Sequence, residues 1–343
     1  MSKKNKVLVA GGCGYIGSHT MVDLIENGFD VISVDNYSNS NPKVLKSIQK
    51  LTGVKVKNYK IDICNEKKLQ KVFLENKDLV GIIHFAAYKN VGESVDKPLW
   101  YFKNNLNSLL NMLEAAKKYK VPNFIFSSSC TVYGNAEELP VTEKTPLKRA
   151  ESPYGLTKQM GEDIIQSFAK VNPKVNSILL RYFNPAGAHE SGLMGEAPNI
   201  ALNLVPVITE LAIGKRKSMT VFGNDYKTRD GSCVRDYIHV QDLANAHTKS
   251  LQYLIKNNNK TNCEAFNVGI GEGATVLEAI HAFEKISGKK LNYKIGPRRK
   301  GDVVAIYSNY KKAKSKLKWK PSRNIEDIMR TAWVWEQRRG MMK

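Results

Sequence analysis

No stretch of this chain approaches the roughly 18 uninterrupted apolar residues that a membrane-spanning helix requires. The opening Met1-Ser2-Lys3-Lys4-Asn5-Lys6 leads straight into a strand-like segment, where a secretory signal would carry an apolar core. A soluble, cytoplasmic protein is the expectation. Cysteine is sparse: Cys13, Cys64, Cys130, Cys233 and Cys263 are scattered, odd in number and without a Cys-x-x-Cys pair, so neither a disulfide framework nor a metal site is suggested. Internal repeats are lacking, and the one low-complexity stretch, Asn257-Asn258-Asn259-Lys260, has the composition of a surface loop. Acidic residues are few, 32 against 53 basic, for a net charge of +21. Such an excess suits nucleic acid, a membrane surface or an anionic small substrate. The lysines run along the whole chain, concentrated locally at Lys311-Lys312-Ala313-Lys314 and Arg298-Arg299-Lys300, without the interleaved aromatics of a base-stacking surface. A solvated surface with one phosphate-binding patch is the reading preferred, with no specific nucleic acid and no membrane as partner.

The length, 343 residues with 42 % hydrophobic, suits a principal domain with a smaller companion. Over the first two-thirds, short β-branched runs alternate with helical patterns. Val7–Ala10, Val31–Asp35, Val56–Ile61, Gly81–Phe85, Phe124–Ser127 and Ser177–Arg181 read as strands of a parallel sheet covered on both faces. In the helical stretch Pro98–Tyr119, Leu106, Leu109, Leu110 and Leu113 take the spacing of one buried face. From Asn184 to about Val234 the pattern breaks into loops around one apolar helix, Val205–Ile213; a helix at Asp242–Ile255 and a strand at Ala265–Val268 then resume the alternation. The fold class is α/β: a doubly wound parallel (Rossmann) sheet with a smaller, discontinuous α/β substrate-binding domain. Residues 1–184 plus 236–270 are assigned to the first unit and 185–235 plus 271–343 to the second.

Val7-Leu8-Val9-Ala10-Gly11-Gly12-Cys13-Gly14-Tyr15-Ile16-Gly17 reads as strand, glycine-rich turn and helix start. Gly11, Gly14 and Gly17 suit a tight turn, a close backbone approach to a pyrophosphate and close helix packing, and the helix amino terminus offers free N–H groups to phosphate. Asp35 ends the next strand, 18 residues after Gly17, close to the roughly 20 expected of a carboxylate on the adenosine ribose. A carboxylate there repels a 2′-phosphate, so NAD is favoured over NADP.

Ser152-Pro153-Tyr154-Gly155-Leu156-Thr157-Lys158 reads as a second helix start, with Ser152 as cap and Pro153 in the first turn. Tyr154 and Lys158, four apart, share one face. A nearby ammonium is expected to favour the phenolate and make Tyr154 a usable proton acceptor. Ser127-Ser128-Ser129-Cys130-Thr131 closes a predicted strand, placing the Ser129 hydroxyl at the carboxyl edge of the sheet, where such folds bind ligands.

These motifs, with Asp35-Asn36-Tyr37-Ser38-Asn39-Ser40, His84-Phe85-Ala86-Ala87-Tyr88-Lys89, Arg181-Tyr182-Phe183-Asn184-Pro185, Phe222-Gly223-Asn224-Asp225-Tyr226, Val234-Arg235-Asp236-Tyr237-Ile238-His239-Val240 and Arg298-Arg299-Lys300-Gly301-Asp302, resemble the extended short-chain dehydrogenase/reductase family, most closely its UDP-galactose 4-epimerase branch. The resemblance covers essentially the whole chain. It implies that Gly11, Gly14, Tyr15, Ile16 and Gly17 hold the NAD pyrophosphate, Asp35, Asn36 and Ser40 the adenosine ribose side, Asp62 and Ile63 the adenine, and Phe85, Ala86, Lys89 and Asn104 the nicotinamide half. Lys158 is implied at the nicotinamide ribose, and Phe183 and Asn184 where the strand meets the sugar nucleotide. Asn203, Leu204, Val221 and Phe222 are implied in a uridine pocket, Arg235 and Arg299 at the diphosphate with Asp302 close by, and a homodimer is implied in which the helices Pro98–Tyr119 and Ser152–Ala169 are candidate interfaces.

The implied reaction inverts a sugar carbon: Tyr154, assisted by Ser129, takes the 4-hydroxyl proton as hydride passes to NAD, and the 4-keto sugar turns before hydride returns to its other face. Within the fold, the rival is a 4,6-dehydratase, which carries an Asp-Glu pair where this chain has Cys130 and Thr131; outside that class, it is an idle relative recruited to bind RNA. Ala87-Tyr88 stands where Gly-Leu is usual, and Cys130 replaces an Ala. Ile306 matches the position that restricts an N-acetyl group when it is Tyr; the smaller Ile implies some activity on UDP-N-acetylated sugars.

Overall fold

The computed structural model describes residues 4–198, 200–299 and 302–341. Along the chain run β1 (Lys6–Ala10), α1 (Tyr15–Glu26), β2 (Asp30–Val34), α2 (Lys43–Thr52), β3 (Lys57–Tyr59), α3 (Glu66–Glu75), β4 (Leu79–His84), α4 (Val91–Asp96), α5 (Pro98–Lys118) and β5 (Asn123–Ser127). A short turn of 3-10 helix, Cys130–Tyr133, precedes α6 (Pro153–Val171), β6 (Asn176–Tyr182), β7 (Asn184–Ala186), α7 (Leu204–Ala212), β8 (Met219–Phe222), β9 (Val234–Arg235) and β10 (Tyr237–His239). The last third holds α8 (Val240–Ile255), β11 (Cys263–Val268), β12 (Ala274–Thr275), α9 (Val276–Ser287), β13 (Tyr293–Gly296), β14 (Ala305–Ile306), α10 (Lys311–Lys316) and α11 (Ile325–Met341).

Seven strands form one parallel sheet in the order β11-β6-β5-β4-β1-β2-β3. Alternation along β1 shows why both faces are covered. Val7 and Val9 join a core with Met21 and Leu24 of α1 and Leu243 and Leu251 of α8, while Leu8 and Ala10 join another with Leu69 of α3, Leu109 and Met112 of α5 and Ile165 of α6. Burying each such aliphatic side chain is worth about 1.5–3 kcal/mol. The chain leaves β1 and β4 on opposite sides of their shared boundary, so the sheet's switch point opens at their carboxyl ends.

A third core gathers Ala186, Val205, Ile208, Val221, Tyr237, Ile280, Phe283, Ile328 and Met329 around α7, α9 and α11. Small sheets β7–β10, β12–β9–β14 and β8–β13 frame it. Ala313, Leu317 and Trp319, from the stretch grouped by sequence with the second unit, pack instead in the first core, and the Trp319 indole donates to the Asp242 carbonyl at 2.9 Å.

Three local expectations need correction. Leu110 is 42 % exposed, because the buried stripe of α5 runs through Ser108, Leu109, Met112 and Leu113. The strand expected over Val56–Ile61 pairs with β2 only through Lys57–Tyr59, since the Ile61 N–H already turns back to the Tyr59 carbonyl. The loop region after Asn184 also contains β7, β8 and β9, strands too short to leave an alternating pattern. Among the described residues no helix is long and apolar enough to cross a membrane.

Candidate active site

A cavity of about 870 Å³ opens at the carboxyl edge of the large sheet. One wall is the turn from β1 into α1. Gly11 takes φ +77°, and a Cβ on it would meet the Ala86 nitrogen at 2.8 Å; a Cβ on Gly17 would sit 2.3 Å from the Gly11 carbonyl oxygen. Gly14 caps α1 without a side-chain hydrogen bond, so the first N–H groups of the helix stay available to an anion. The Tyr15 hydroxyl donates to the Gly187 carbonyl at 2.6 Å, which leaves its main chain for the cavity.

Asp35, immediately after β2, accepts from the Cys13 N–H at 3.0 Å, the Tyr37 N–H at 2.8 Å and the Ser40 hydroxyl at 2.8 Å. Three donors thus fix its carboxyl group at the end of the strand. Burial, reinforced by Asp35, pushes the Cys13 thiol up to about 12, so it packs as a small inert residue. The donor set and the close-packed glycines fit an adenine dinucleotide: an anion-binding helix end beside a carboxylate that can take ribose hydroxyls.

The opposite wall carries the acid/base candidates. Ser152 Oγ accepts from the Gly155 N–H at 3.1 Å and so starts α6 where the sequence places it, with Tyr154 and Lys158 both buried. Lys158 Nζ donates to the Ser127 carbonyl at 2.6 Å and lies 5.9 Å from the centroid of the Tyr154 ring. Burial brings this ammonium down to about 8, against the pull of Glu162. The Tyr154 phenol is driven well above its ordinary range, first by burial and next by Tyr182, with Ser129 pulling the other way. Burial thus works against the expected phenolate, and the Lys158 ammonium, held at the Ser127 carbonyl, is the charge on this wall that favours it.

Every cofactor residue expected from sequence lines this one cavity: Gly11, Gly14, Tyr15, Ile16, Gly17, Asp35, Asn36, Ser40, Asp62, Ile63, Phe85, Ala86, Lys89, Asn104, Lys158 and Phe183. Ser129, Tyr154, Asn184 and Asn203 line it as well. The remaining substrate candidates form a second group outside its wall. Arg299 donates to both oxygens of Asp302 at 3.1 and 2.8 Å, and Arg235 reaches the same carboxylate at 3.4 Å. The Arg299 guanidinium lies 5.6 Å from the centre of the Phe222 ring. Ile306 pairs with Arg235 across β14 and β9, and packs with Phe183, Val132 and Tyr133. The side chain of Val221, 1 % exposed, belongs to the third core, and that of Leu204, partly buried, packs against it. Lys300 and Gly301 of the quoted motif lie outside the described residues.

Comparison with known proteins decides the family. A family model described as GDP-mannose 4,6 dehydratase matches residues 8–332. The chain is 48 % identical over 337 residues to a UDP-glucose 4-epimerase of Schizosaccharomyces pombe, covering 97 % of this chain and 94 % of that one. It is 46 % identical over 333 residues to the UDP-glucose 4-epimerase of Pasteurella multocida, with 97 % of each covered. The UDP-glucose 4-epimerase of Bifidobacterium longum, solved with NAD+ and UDP, superposes with a TM-score of 0.93 at 45 % identity over 98 % of this chain and 99 % of that one. This chain belongs to the UDP-glucose 4-epimerase branch of the extended short-chain dehydrogenase/reductase family.

The dehydratase description of the broader family meets a specific contrast in this epimerase relative. Cys130 and Thr131 line the cavity beside Ser129, and neither is a carboxylate. Burial pushes the Cys130 thiol up to about 12, so it cannot act as a base in place of one. Sequence reasoning missed one element of the epimerase cavity, the strap from Leu193 to Pro198. Glu196 Oε1 accepts from Asn203 Nδ2 at 2.9 Å and from Lys89 Nζ at 3.3 Å, bridging the two sides of the cleft. Nothing local marks it, since Lys89 lies 107 residues away.

Proposed function

We propose that this protein interconverts UDP-glucose and UDP-galactose by inversion at C4. The observation that carries the reading is the convergence of Ser129, Tyr154 and Lys158 on the cavity that holds the Gly11–Gly17 turn and Asp35, with no carboxylate at Cys130 or Thr131. NAD, when bound, supplies a hydride acceptor that returns the hydride within the cycle, so no external redox partner is needed. Tyr15, Ile16 and Gly17 offer its pyrophosphate their main-chain N–H groups, which Gly11 and Gly14 let it approach closely; Asp35, Asn36 and Ser40 take the adenosine ribose; Asp62 and Ile63 take the adenine; and Phe85, Ala86, Lys89, Asn104 and Phe183 flank the nicotinamide half.

Tyr154 exchanges the proton of the sugar 4-hydroxyl, with Ser129 orienting that hydroxyl. Lys158 holds the fixed positive charge that favours the phenolate when the proton leaves. Asn184 and Asn203 contact the sugar nucleotide, while Arg235 and Arg299, prearranged by Asp302, grip its diphosphate. That anchor lies away from the reacting carbon, so the sugar can turn without being lost. Ile306 leaves room for an N-acetyl group, which extends the substrates to UDP-N-acetylglucosamine and UDP-N-acetylgalactosamine.

The same reading divides the chain into an NAD-binding unit, 1–184 with 236–270, and a sugar-nucleotide unit, 185–235 with 271–343, whose Ala313, Leu317 and Trp319 dock into the first core. It places the protein in the cytoplasm as a homodimer. Leu99, Trp100 and Leu110 of α5 and Leu156 and Met160 of α6 are large apolar residues at least 37 % exposed, as a paired helix face would be. The direct test is to incubate the purified protein with UDP-galactose without added NAD and resolve the products. Conversion to UDP-glucose supports both the reaction and a retained cofactor; a 4-keto-6-deoxy product indicates the dehydratase instead.

A further inference from the structure

Ser127, Ser128 and Ser129 leave the end of β5 together, and each meets a different residue of α6. The Ser127 carbonyl accepts from Lys158 Nζ at 2.6 Å, and the Ser128 hydroxyl donates to Glu162 Oε1 at 2.5 Å. Ser129 sits against Tyr154 and favours its ionised form. Tyr154, Lys158 and Glu162 follow one another at intervals of four, so they form a single stripe along the helix. Glu162 is completely buried and does not line the cavity. Arg181 of β6 clamps it from behind, with Nε donating to Oε1 at 2.9 Å and NH2 to Oε2 at 2.6 Å. Arg181 NH1 also donates to the Tyr133 hydroxyl at 3.1 Å, which donates to Asn267 Oδ1 at 2.6 Å.

We propose that Glu162 is a positioning residue for the reaction: it locks the Ser127–Ser129 strand end in register with the helix stripe that carries Tyr154 and Lys158, and sets a carboxylate one helical turn from Lys158. This rests on the roles of Tyr154 and Lys158 in the reading above. Among the described residues, Tyr154 on its own helix and His84 on β4 also act with Lys158, while Tyr182 on β6 and Cys130 on the turn after β5 border Tyr154, and Arg181 on β6 and Tyr133 border Glu162 from behind. Burial holds His84 neutral down to about 3, and raises the tyrosines and the Cys130 thiol, so none of these supplies a negative charge at neutral pH. Glu162 does. A buried carboxylate bound by a guanidinium and a hydroxyl has no freedom to move, so both its charge and its geometry are passed on to the helix turn that bears the catalytic pair.

The test follows epimerisation of UDP-galactose across neutral and alkaline pH in wild type, Glu162→Gln and Glu162→Gln/Arg181→Met, with bound NAD and melting temperature measured on each. The double variant leaves no guanidinium buried without a counter-charge. The alkaline limb of kcat should move to lower pH by about two units in Glu162→Gln, the worth of a unit charge one helical turn away at an effective dielectric constant of about 20, and by less in the double variant, where the Arg181 charge is lost as well. KM for UDP-galactose should change by less than about twofold, as expected when substrate binding is untouched. Glu162→Asp, which keeps the charge, should return the limb toward its wild-type position. An unmoved limb in both variants, with the effect confined to melting temperature, overturns the proposal. Should neither variant fold, Ser128→Ala carries the test with every charge in place. It should lower kcat about tenfold through lost register, and an unchanged kcat overturns the proposal. Absence of turnover in the wild type would instead contradict the epimerase reading.

Discussion

Lys158 Nζ donates to the main-chain carbonyl of Ser127 at 2.6 Å, and its ring neighbour Tyr154 is 5.9 Å away measured to the centroid. The ammonium is therefore held by the strand end and acts on the phenol through the field it sets up. Lys158→Met removes that field while keeping the aliphatic bulk over Phe126. Turnover of UDP-galactose should fall by about 10²–10⁴-fold, the usual worth of positioned proton transfer. Initial rates on preparations matched for NAD content check it; a loss explained entirely by missing cofactor would argue that Lys158 only binds.

Arg299 and Arg235 share Asp302, so each guanidinium is already oriented before any diphosphate arrives. Arg299→Met removes a charge-assisted contact worth about 1.5–3 kcal/mol, which corresponds to a rise of roughly 10- to 100-fold in KM. The contact is equally good in ground and transition states, so kcat should hold nearly steady. Steady-state kinetics with UDP-galactose decide the split.

Ile306 is buried against Phe183, which lines the cavity. Ile306→Tyr adds bulk on that side. Turnover of UDP-N-acetylgalactosamine should drop at least about tenfold relative to UDP-galactose, the discrimination a few buried atoms can impose. Parallel product assays on the two sugars measure it, and an unchanged ratio would remove Ile306 from the specificity account.

Acid should unfold the protein early. Burial holds His19 and His247 down to about 4 and His84 down to about 3, so all three stay neutral in the fold over a range where the unfolded chain takes up protons, from its ordinary histidine value downward. The unfolded state binds more protons there, and stability must fall with falling pH. Each histidine contributes about 1.4 kcal/mol per pH unit below about pH 6. Asp23 and Asp236, whose carboxyls burial raises, offset part of this slope. Urea midpoints between neutral and mildly acidic pH check the sign, and His84→Phe should flatten the dependence.

Much of this was legible in the sequence because it is local. The alternation Val7-Leu8-Val9-Ala10 dictates a strand buried on both faces, and Gly11, Gly14 and Gly17 dictate the turn after it. Ser152 and Pro153 dictate where α6 begins, and hence that Tyr154 and Lys158 share a face. What failed was what depends on the rest of the molecule. Four leucines at helical spacing cannot say which of them meets solvent, and Leu110 does. Which of Val221 and Phe222 is buried was not legible either: Val221 turns into the third core because its strand alternates, while Phe222 turns outward. The desolvation that works against ionising Tyr154 is likewise something no local spacing reports. Glu196, Glu162 and Arg181 act through partners distant in sequence, so their contacts appear only after folding.

The central claim is that Tyr154 is the acid/base, and Tyr154→Phe tests it most directly. The variant keeps the ring and loses the hydroxyl, so bound NAD and the melting temperature should stay near wild type. Its kcat for UDP-galactose should fall by about 10²–10⁴-fold. Near-normal epimerisation by a folded, NAD-loaded Tyr154→Phe protein would contradict the account.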